Sequence, residues 1–324
     1  MPSPRLLPLL VLLAGAAAAP EGIAAAVVAV PAWLFPGEGD LPQPPYNTVT
    51  PLHLPDSRAS YTEAQLFDQF AVPDWHPLGH PPLPEVVAHG VKPQVYACGY
   101  CHLANGRGRP ENASLAGLPQ PYMLQQLADF KSGARRIAWQ HPNPPSDAML
   151  QVAAHVSGPD AAAAVAYFSG LTLTQRSRVI EGDTVPAFKA EGWTYLPLPG
   201  GRREPLGERL IEIAPDALRD ARRDDRMQYD AYVPAGSIER GRAIATGTRA
   251  GVTACVSCHG AALRGMAIFP PIAGRSASYL LRQLYAFKSG TRHSATDLAM
   301  APVVAPLSPA DLIAVCAYAA SLAP

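Results

Sequence analysis

Two stretches of the chain carry the same apolar rhythm. Tyr122 to Phe130 (YMLQQLADF) and Tyr279 to Phe287 (YLLRQLYAF) set large apolar residues three and four positions apart, and Gly133 or Gly290 follows three residues later. That spacing predicts two amphipathic helices, each stopped by a glycine. Asp160 to Phe168 and Pro309 to Leu322 are also helix-like. In Ser308-Pro309-Ala310-Asp311 an N-cap, a first-turn proline and an acidic side chain coincide, and Gly158-Pro159-Asp160 does a similar job in the earlier segment. A short helix is predicted from Glu63 to Phe70. Strand-like pieces occur only at Thr194 to Leu198 and Leu210 to Ile213, around Gly200-Gly201. At the N-terminus, Arg5, the apolar run Leu6 to Leu13 and small residues up to Ala19 read as a secretory signal. A second run, Ile23 to Phe35, is 13 residues long and too short to span hydrocarbon unaided. An uncleaved anchor made of both runs is the alternative to an exported soluble protein.

The paired helices belong to an internal repeat. Cys98-Gly99-Tyr100-Cys101-His102 recurs 157 positions later as Cys255-Val256-Ser257-Cys258-His259. The same offset carries Ala116-Gly117 onto Ala273-Gly274, Gln126-Leu127 onto Gln283-Leu284, and Phe130-Lys131-Ser132-Gly133 onto Phe287-Lys288-Ser289-Gly290. Met149 and Tyr167 match Met300 and Tyr318 at an offset of 151, so the first copy holds six extra residues, placed in the stretch 139–145. The expected organisation is a signal (1–19), a Pro-rich extension (20–79), a first domain (80–171), a linker (172–235) and a second domain (236–324). The expected fold class is all-α, with the long linker partly ordered and packed across both domains. Pro 36, Gly 26 and 16% charged residues argue against coiled coils, and 48% hydrophobic residues argue against a wholly disordered chain. Lys+Arg 26 against Asp+Glu 26 gives no reason to expect nucleic-acid binding.

Four of the five cysteines lie in the two CxxCH motifs. CxxCH is the attachment sequence for c-type haem: two thiols form thioethers with the porphyrin vinyls and the next residue, histidine, reaches the iron. A zinc reading would leave each cluster short of a ligand. Two covalently bound haem c groups are therefore expected, attached at Cys98, Cys101, Cys255 and Cys258, with His102 and His259 on the irons. The repeated methionines Met149 and Met300 are the candidates for the other axial position. Met123 faces Leu280 in the repeat, Met266 faces Arg109, and His141 and His155 have no repeated partner. Cys316, inside the last apolar helix, reads as a small buried hydrophobe.

These features resemble the di-haem class I cytochromes c of the cytochrome c4 group. The resemblance lies in CGYCHLANGRGRP…LAGLPQPYMLQQLADFKSGARR…M and CVSCHG…FPPIAGRSASYLLRQLYAFKSGTRH…M, and covers a little over half the chain. It implies two tandem class I cytochrome c domains, each a small helical bundle around a covalently attached haem. It also implies single-electron transfer in the periplasm, as a shuttle or as the cytochrome subunit of a dehydrogenase or oxidase, without a small-molecule substrate. A di-haem peroxidase with one releasable distal ligand is the alternative; matched methionines on both irons argue against it. In the family a proline carbonyl orients the proximal histidine. Phe269-Pro270-Pro271 can supply it in the second copy, whereas Asn112-Ala113-Ser114 requires a non-proline carbonyl in the first. Residues 236–324 hold eight Lys/Arg and three Asp/Glu. Arg240, Arg242, Arg249, Arg264, Arg275, Arg282, Lys288 and Arg292 are thus candidates for a basic docking face for an acidic redox partner, the alternative being that they are spread round the domain or paired with the acidic N-terminal arm.

Overall fold

A computed structural model describes residues 29–324 except 38, 40–42 and 140–142. The first repeat supplies helices Cys98–His102, Gln120–Ser132, Pro144–His155 and Gly158–Ser169. The second supplies Ser237–Ala245, Val256–His259, Ala277–Lys288, Met300–Val304 and Pro309–Ser321. Their ends follow the local signals. Ser308 and Asp311 form a reciprocal capping box, and Gly133 closes the Gln120–Ser132 helix in the left-handed conformation at φ 79°. The cap of the Gly158–Ser169 helix is Ser157, one residue before the expected segment; its hydroxyl accepts from the Asp160 N–H at 3.2 Å. In the first repeat Val87, Ala116, Met123, Val165 and Phe168 make a buried core. In the second, Ser237–Ala245 crosses Pro309–Ser321 and buries Ile244 against Leu312 and its neighbours. Gly241 is the point of closest approach: a Cβ there would lie 1.9 Å from the Ala314 carbonyl oxygen.

The all-α expectation fails between the repeats. Residues 172–235 fold into a five-stranded sheet in the order Ser177–Glu181, Tyr229–Val233, Ile211–Ile213, Thr194–Pro197, Phe188–Glu191, beside a two-stranded pair, Thr184–Pro186 with Arg203–Pro205. Both strand-like pieces read from the sequence lie in it. The rest was hidden because the strands are three to five residues long, and an interior one, Tyr229–Val233, is buried at every position and shows no alternation. Ala231 and Val233 join the hydrophobic core of the second repeat. Glu212 fixes the sheet to the Ala277–Lys288 helix: it accepts from Ser177 Oγ (2.6 Å), Ser276 Oγ (2.5 Å), Ser278 Oγ (2.5 Å) and the Ser278 N–H (3.2 Å). The linker is therefore an ordered layer.

The expected signal and the first six residues of the second apolar run lie outside the described residues. The run's end is inside the protein: Leu34 is buried in the second repeat's core and Phe35 stacks on Trp139 at 4.9 Å. No helix among the described residues is long and apolar enough to cross a membrane. Further along the arm, Thr62 caps Glu63–Leu66 with a capping box, and Leu54, Leu66 and Trp75 form a small core of their own. The Trp75 indole N–H donates to the Arg222 carbonyl at 2.7 Å, which ties the arm to the linker.

Candidate functional site

One cavity of about 560 Å³ runs between the two repeats. Both CxxCH motifs face it: Cys98, Cys101, His102, Cys255, Cys258 and His259 are in its wall. None of the five cysteines is in a disulfide. The two histidines are held alike. His102 Nδ1 lies 2.8 Å from the Ala113 carbonyl and His259 Nδ1 lies 2.8 Å from the Pro270 carbonyl. A backbone carbonyl can only accept, so each Nδ1 carries the ring proton and each Nε2 keeps its lone pair, the form that ligates a metal. Burial reinforces this by lowering both imidazole pKa values. The first copy thus solves its missing proline with the Ala113 carbonyl. Burial also pushes the Cys98 thiol up to about 12 and the Cys255 thiol up to about 11. An uncharged thioether avoids that penalty, so the donor set and its apolar walls fit covalent haem.

Met149 and Met300 also line this cavity, on helices Pro144–His155 and Met300–Val304. The structure therefore gathers all eight expected site residues around one space. Met123 reaches it as well, from inside the Gln120–Ser132 helix. Met266 is half exposed, His155 is exposed with Nδ1 2.9 Å from the Gln151 carbonyl, and Cys316 is buried. His141 lies outside the described residues.

Of the expected basic face Arg264 stays exposed, and the other seven cations are buried or engaged by acceptors. Arg275, Arg282 and Arg292 are buried, Arg240 and Arg249 both bind Asp311, and Arg242 pairs with Glu239. Lys288 donates to the Val304, Ala305 and Leu307 carbonyls. Charge counted along a chain cannot tell a solvated cation from one folded inward. Three of these arginines cross to the other half, Arg282 by donating to the Pro110 carbonyl. Arg275 donates to the Ser114 (2.6 Å) and Ala116 (3.1 Å) carbonyls, and Arg292 meets its repeat partner Arg135 on a local pseudo-dyad. Arg135 donates to Gln126 Oε1 (2.6 Å) and Gln283 Oε1 (3.1 Å), while Arg292 donates to Gln283 Oε1 (3.0 Å) and Gln126 Oε1 (2.8 Å). The main chain repeats the symmetry, with Arg136 N–H to Thr291 O at 2.9 Å and His293 N–H to Ala134 O at 3.0 Å. The offset of 157 already pairs Arg135 with Arg292 and Gln126 with Gln283. It aligns them as equivalents, but does not say that equivalents touch.

The cytochrome c family profile matches residues 238–323. A thiosulfate dehydrogenase electron acceptor from Stutzerimonas stutzeri is 30% identical over 236 residues, covering 72% of this chain and 82% of that one. The chain belongs to the di-haem cytochrome c4 group. The cytochrome c4 of Pseudomonas aeruginosa is 27% identical over 225 residues, 68% of this chain and 81% of its own. A thiosulfate dehydrogenase structure from Marichromatium purpuratum aligns with TM-score 0.46 and 26% identity over 72% of this chain, which spans only 38% of that longer one. The protein is thus an electron-transfer cytochrome carrying covalently bound haem c, and the peroxidase reading is set aside.

The two halves of this cytochrome differ in what covers the loop after CxxCH. In the first, Asn105 Nδ2 and Arg107 Nη1 donate to the Asp225 carbonyl at 2.8 and 3.0 Å, and Arg107 Nη2 to the Gln175 carbonyl at 2.8 Å. Arg109 pairs with Asp220 at 3.1 Å, and Arg223 lies 4.0 Å over the Tyr100 ring. Arg107 and Arg109 are 5% and 4% exposed. Their counterparts at the 157 offset, Arg264 and Met266, are both exposed, Met266 at 50%, and so are Ser257, Ala262 and Ile268. The linker layer roofs one loop and leaves the other bare.

Proposed function

We infer that this cytochrome accepts single electrons from a periplasmic redox enzyme through its second domain (236–324) and holds the other haem, in the first domain (80–171), under the linker layer. In this reading Cys98 and Cys101 attach one haem, with His102 and Met149 as axial ligands. Cys255 and Cys258 attach the other, with His259 and Met300. Bound haem c supplies reversible one-electron exchange at its iron. The chain's part is to fill both axial positions, so that no substrate competes for the metal, and to favour the ferrous state with a soft thioether. The carbonyls of Ala113 and Pro270 orient the imidazoles. The buried Arg135–Arg292 dyad holds the two halves at a set separation. By analogy with the Stutzerimonas relative, the donor is a dehydrogenase of thiosulfate type, and the protein catalyses no reaction of its own.

The observation that carries the assignment of the port is the unequal cover of the two loops. Weak redox encounters use small contacts with an apolar centre, and Met266 with Ile268 offers such a patch beside the second cysteine pair. The test is stopped-flow reduction of the full-length holoprotein by a thiosulfate dehydrogenase, followed in the haem absorption. Met266→Lys and Met266→Glu, outside the cavity wall, should each slow the bimolecular phase at least tenfold and leave both midpoint potentials within error. An unchanged rate would remove the second domain as the port. A shifted potential would show that the substitutions act on the haem and not on docking.

A further inference from the structure

We propose that His76, Asp224 and Asp225 form a binding site for one divalent transition-metal ion, separate from the haem cavity, where the Pro-rich arm meets the linker. His76 Nε2 lies 3.2 Å from Asp224 Oδ1 and 3.7 Å from Asp225 Oδ1. Two ligands about 2.1 Å from a tetrahedral ion subtend about 3.4 Å, so these separations bracket what Zn2+ requires. Asp56 offers a fourth donor: one ligand atom each from Asp56, His76 and Asp224 fall within 4.8 Å of one another. His76 and Asp225 are 5% and 4% exposed, and Asp224 is buried. Among the described residues nothing donates a hydrogen bond to Asp225 Oδ1, which is buried and aimed at the imidazole. A buried carboxylate oxygen in that position is costly without a cation or a donor. One imidazole with carboxylates suits zinc-like ions and disfavours Ca2+ or Mg2+, which take oxygen alone.

The surrounding cations do not fill this role. Arg219 holds Asp224 by its other oxygen, Oδ2, and Asp56 by Oδ1 at 2.9 Å, and Arg226 reaches Asp56 Oδ2 only at 3.9 Å. Asp224 Oδ1 also accepts the Arg226 N–H at 2.9 Å, which aims it inward. His76 is 148 residues from Asp224 along the chain, so an ion here would cross-link the arm to the linker. The same Asp225 main chain receives Asn105 and Arg107 from the loop after the first CxxCH. The site therefore fastens the roof over the first haem loop.

The test uses the full-length holoprotein, stripped with chelator and titrated calorimetrically with ZnCl2, together with metal analysis after desalting. One zinc per two irons is expected, with a rise in the unfolding temperature on adding zinc. Asp225→Asn keeps the shape and should weaken zinc binding at least tenfold, and His76→Gln should do the same. Neither should change the haem spectrum or the unfolding temperature of the metal-free protein by more than a few degrees. If zinc binds equally to Asp225→Asn, it sits elsewhere, on exposed histidines, and the proposal is wrong. No uptake by the wild type overturns it too. Should His76→Gln fail to fold, Asp225→Asn and the wild-type thermal shift still decide.

Discussion

Replacing Gly241 by alanine sets two known effects against each other. Within the Ser237–Ala245 helix, alanine is favoured over glycine by about 1 kcal/mol. Against that, the new Cβ would sit 1.9 Å from the Ala314 oxygen, 2.5 Å from its carbonyl carbon and 2.8 Å from Tyr318 Cβ. Ordinary contact is about 3.5 Å, so the helices must part by about 1.5 Å. Neither offending Ala314 atom belongs to a side chain that can rotate away. Parting the helices would loosen Ile244 and Leu312, both fully buried. Losses of that kind run at about 2–5 kcal/mol, so the clash wins and Gly241→Ala should destabilise by at least about 2 kcal/mol. Guanidinium titration of the holoprotein, read by far-ultraviolet circular dichroism and haem absorption, measures this. Gly158→Ala serves as the control, because a Cβ there meets nothing within 4 Å; it should be neutral or mildly stabilising. A Gly241→Ala protein more stable than wild type would refute the close approach of the two helices.

Three further outcomes follow from the site and its supports. Met149→Ala and Met300→Ala should each open one haem to carbon monoxide and lower one midpoint by more than about 59 mV, a tenfold change in a one-electron equilibrium, checked by spectra and potentiometry. Arg292→Met leaves Asp297 buried without its 2.7 Å cation and takes one of two arginine donors from each of Gln126 and Gln283, and should cost about 3–5 kcal/mol in thermal unfolding. Lysine should not rescue it, since one ammonium cannot span three acceptors. Burial would raise the Glu212 pKa, but Arg176 and three serine hydroxyls reverse this and hold it below 4.5. A carboxylate depressed in the folded state stabilises above its unfolded pKa. Its contribution should therefore be complete above about pH 5 and fade as the pH falls below 4.5; Glu212→Gln should flatten that acid limb of stability.

Local spacing along the chain carries a definite share of this description. The helices of both repeats follow from apolar periodicity and caps, and the haem chemistry follows from five-residue motifs and a repeat frame. Even the non-proline carbonyl for His102 could be anticipated, because it lies 11 residues along the same chain. Tertiary structure decided whatever depends on distant segments meeting. Ser177–Glu181 pairs in parallel with Tyr229–Val233 some 50 residues on, and no periodicity within either short strand announces that partner. Eight cations in the second repeat looked like a docking face until folding buried some of them between the halves and paired others within the domain. Two loops at equivalent positions of the repeat became a roofed one and a bare one because the sheet packs on one side. The grouping of His76 with Asp224 and Asp225 has the same origin. Burial and charge pairing are properties of positions in space, and for contacts across 100 residues or more the chain order holds no record of them.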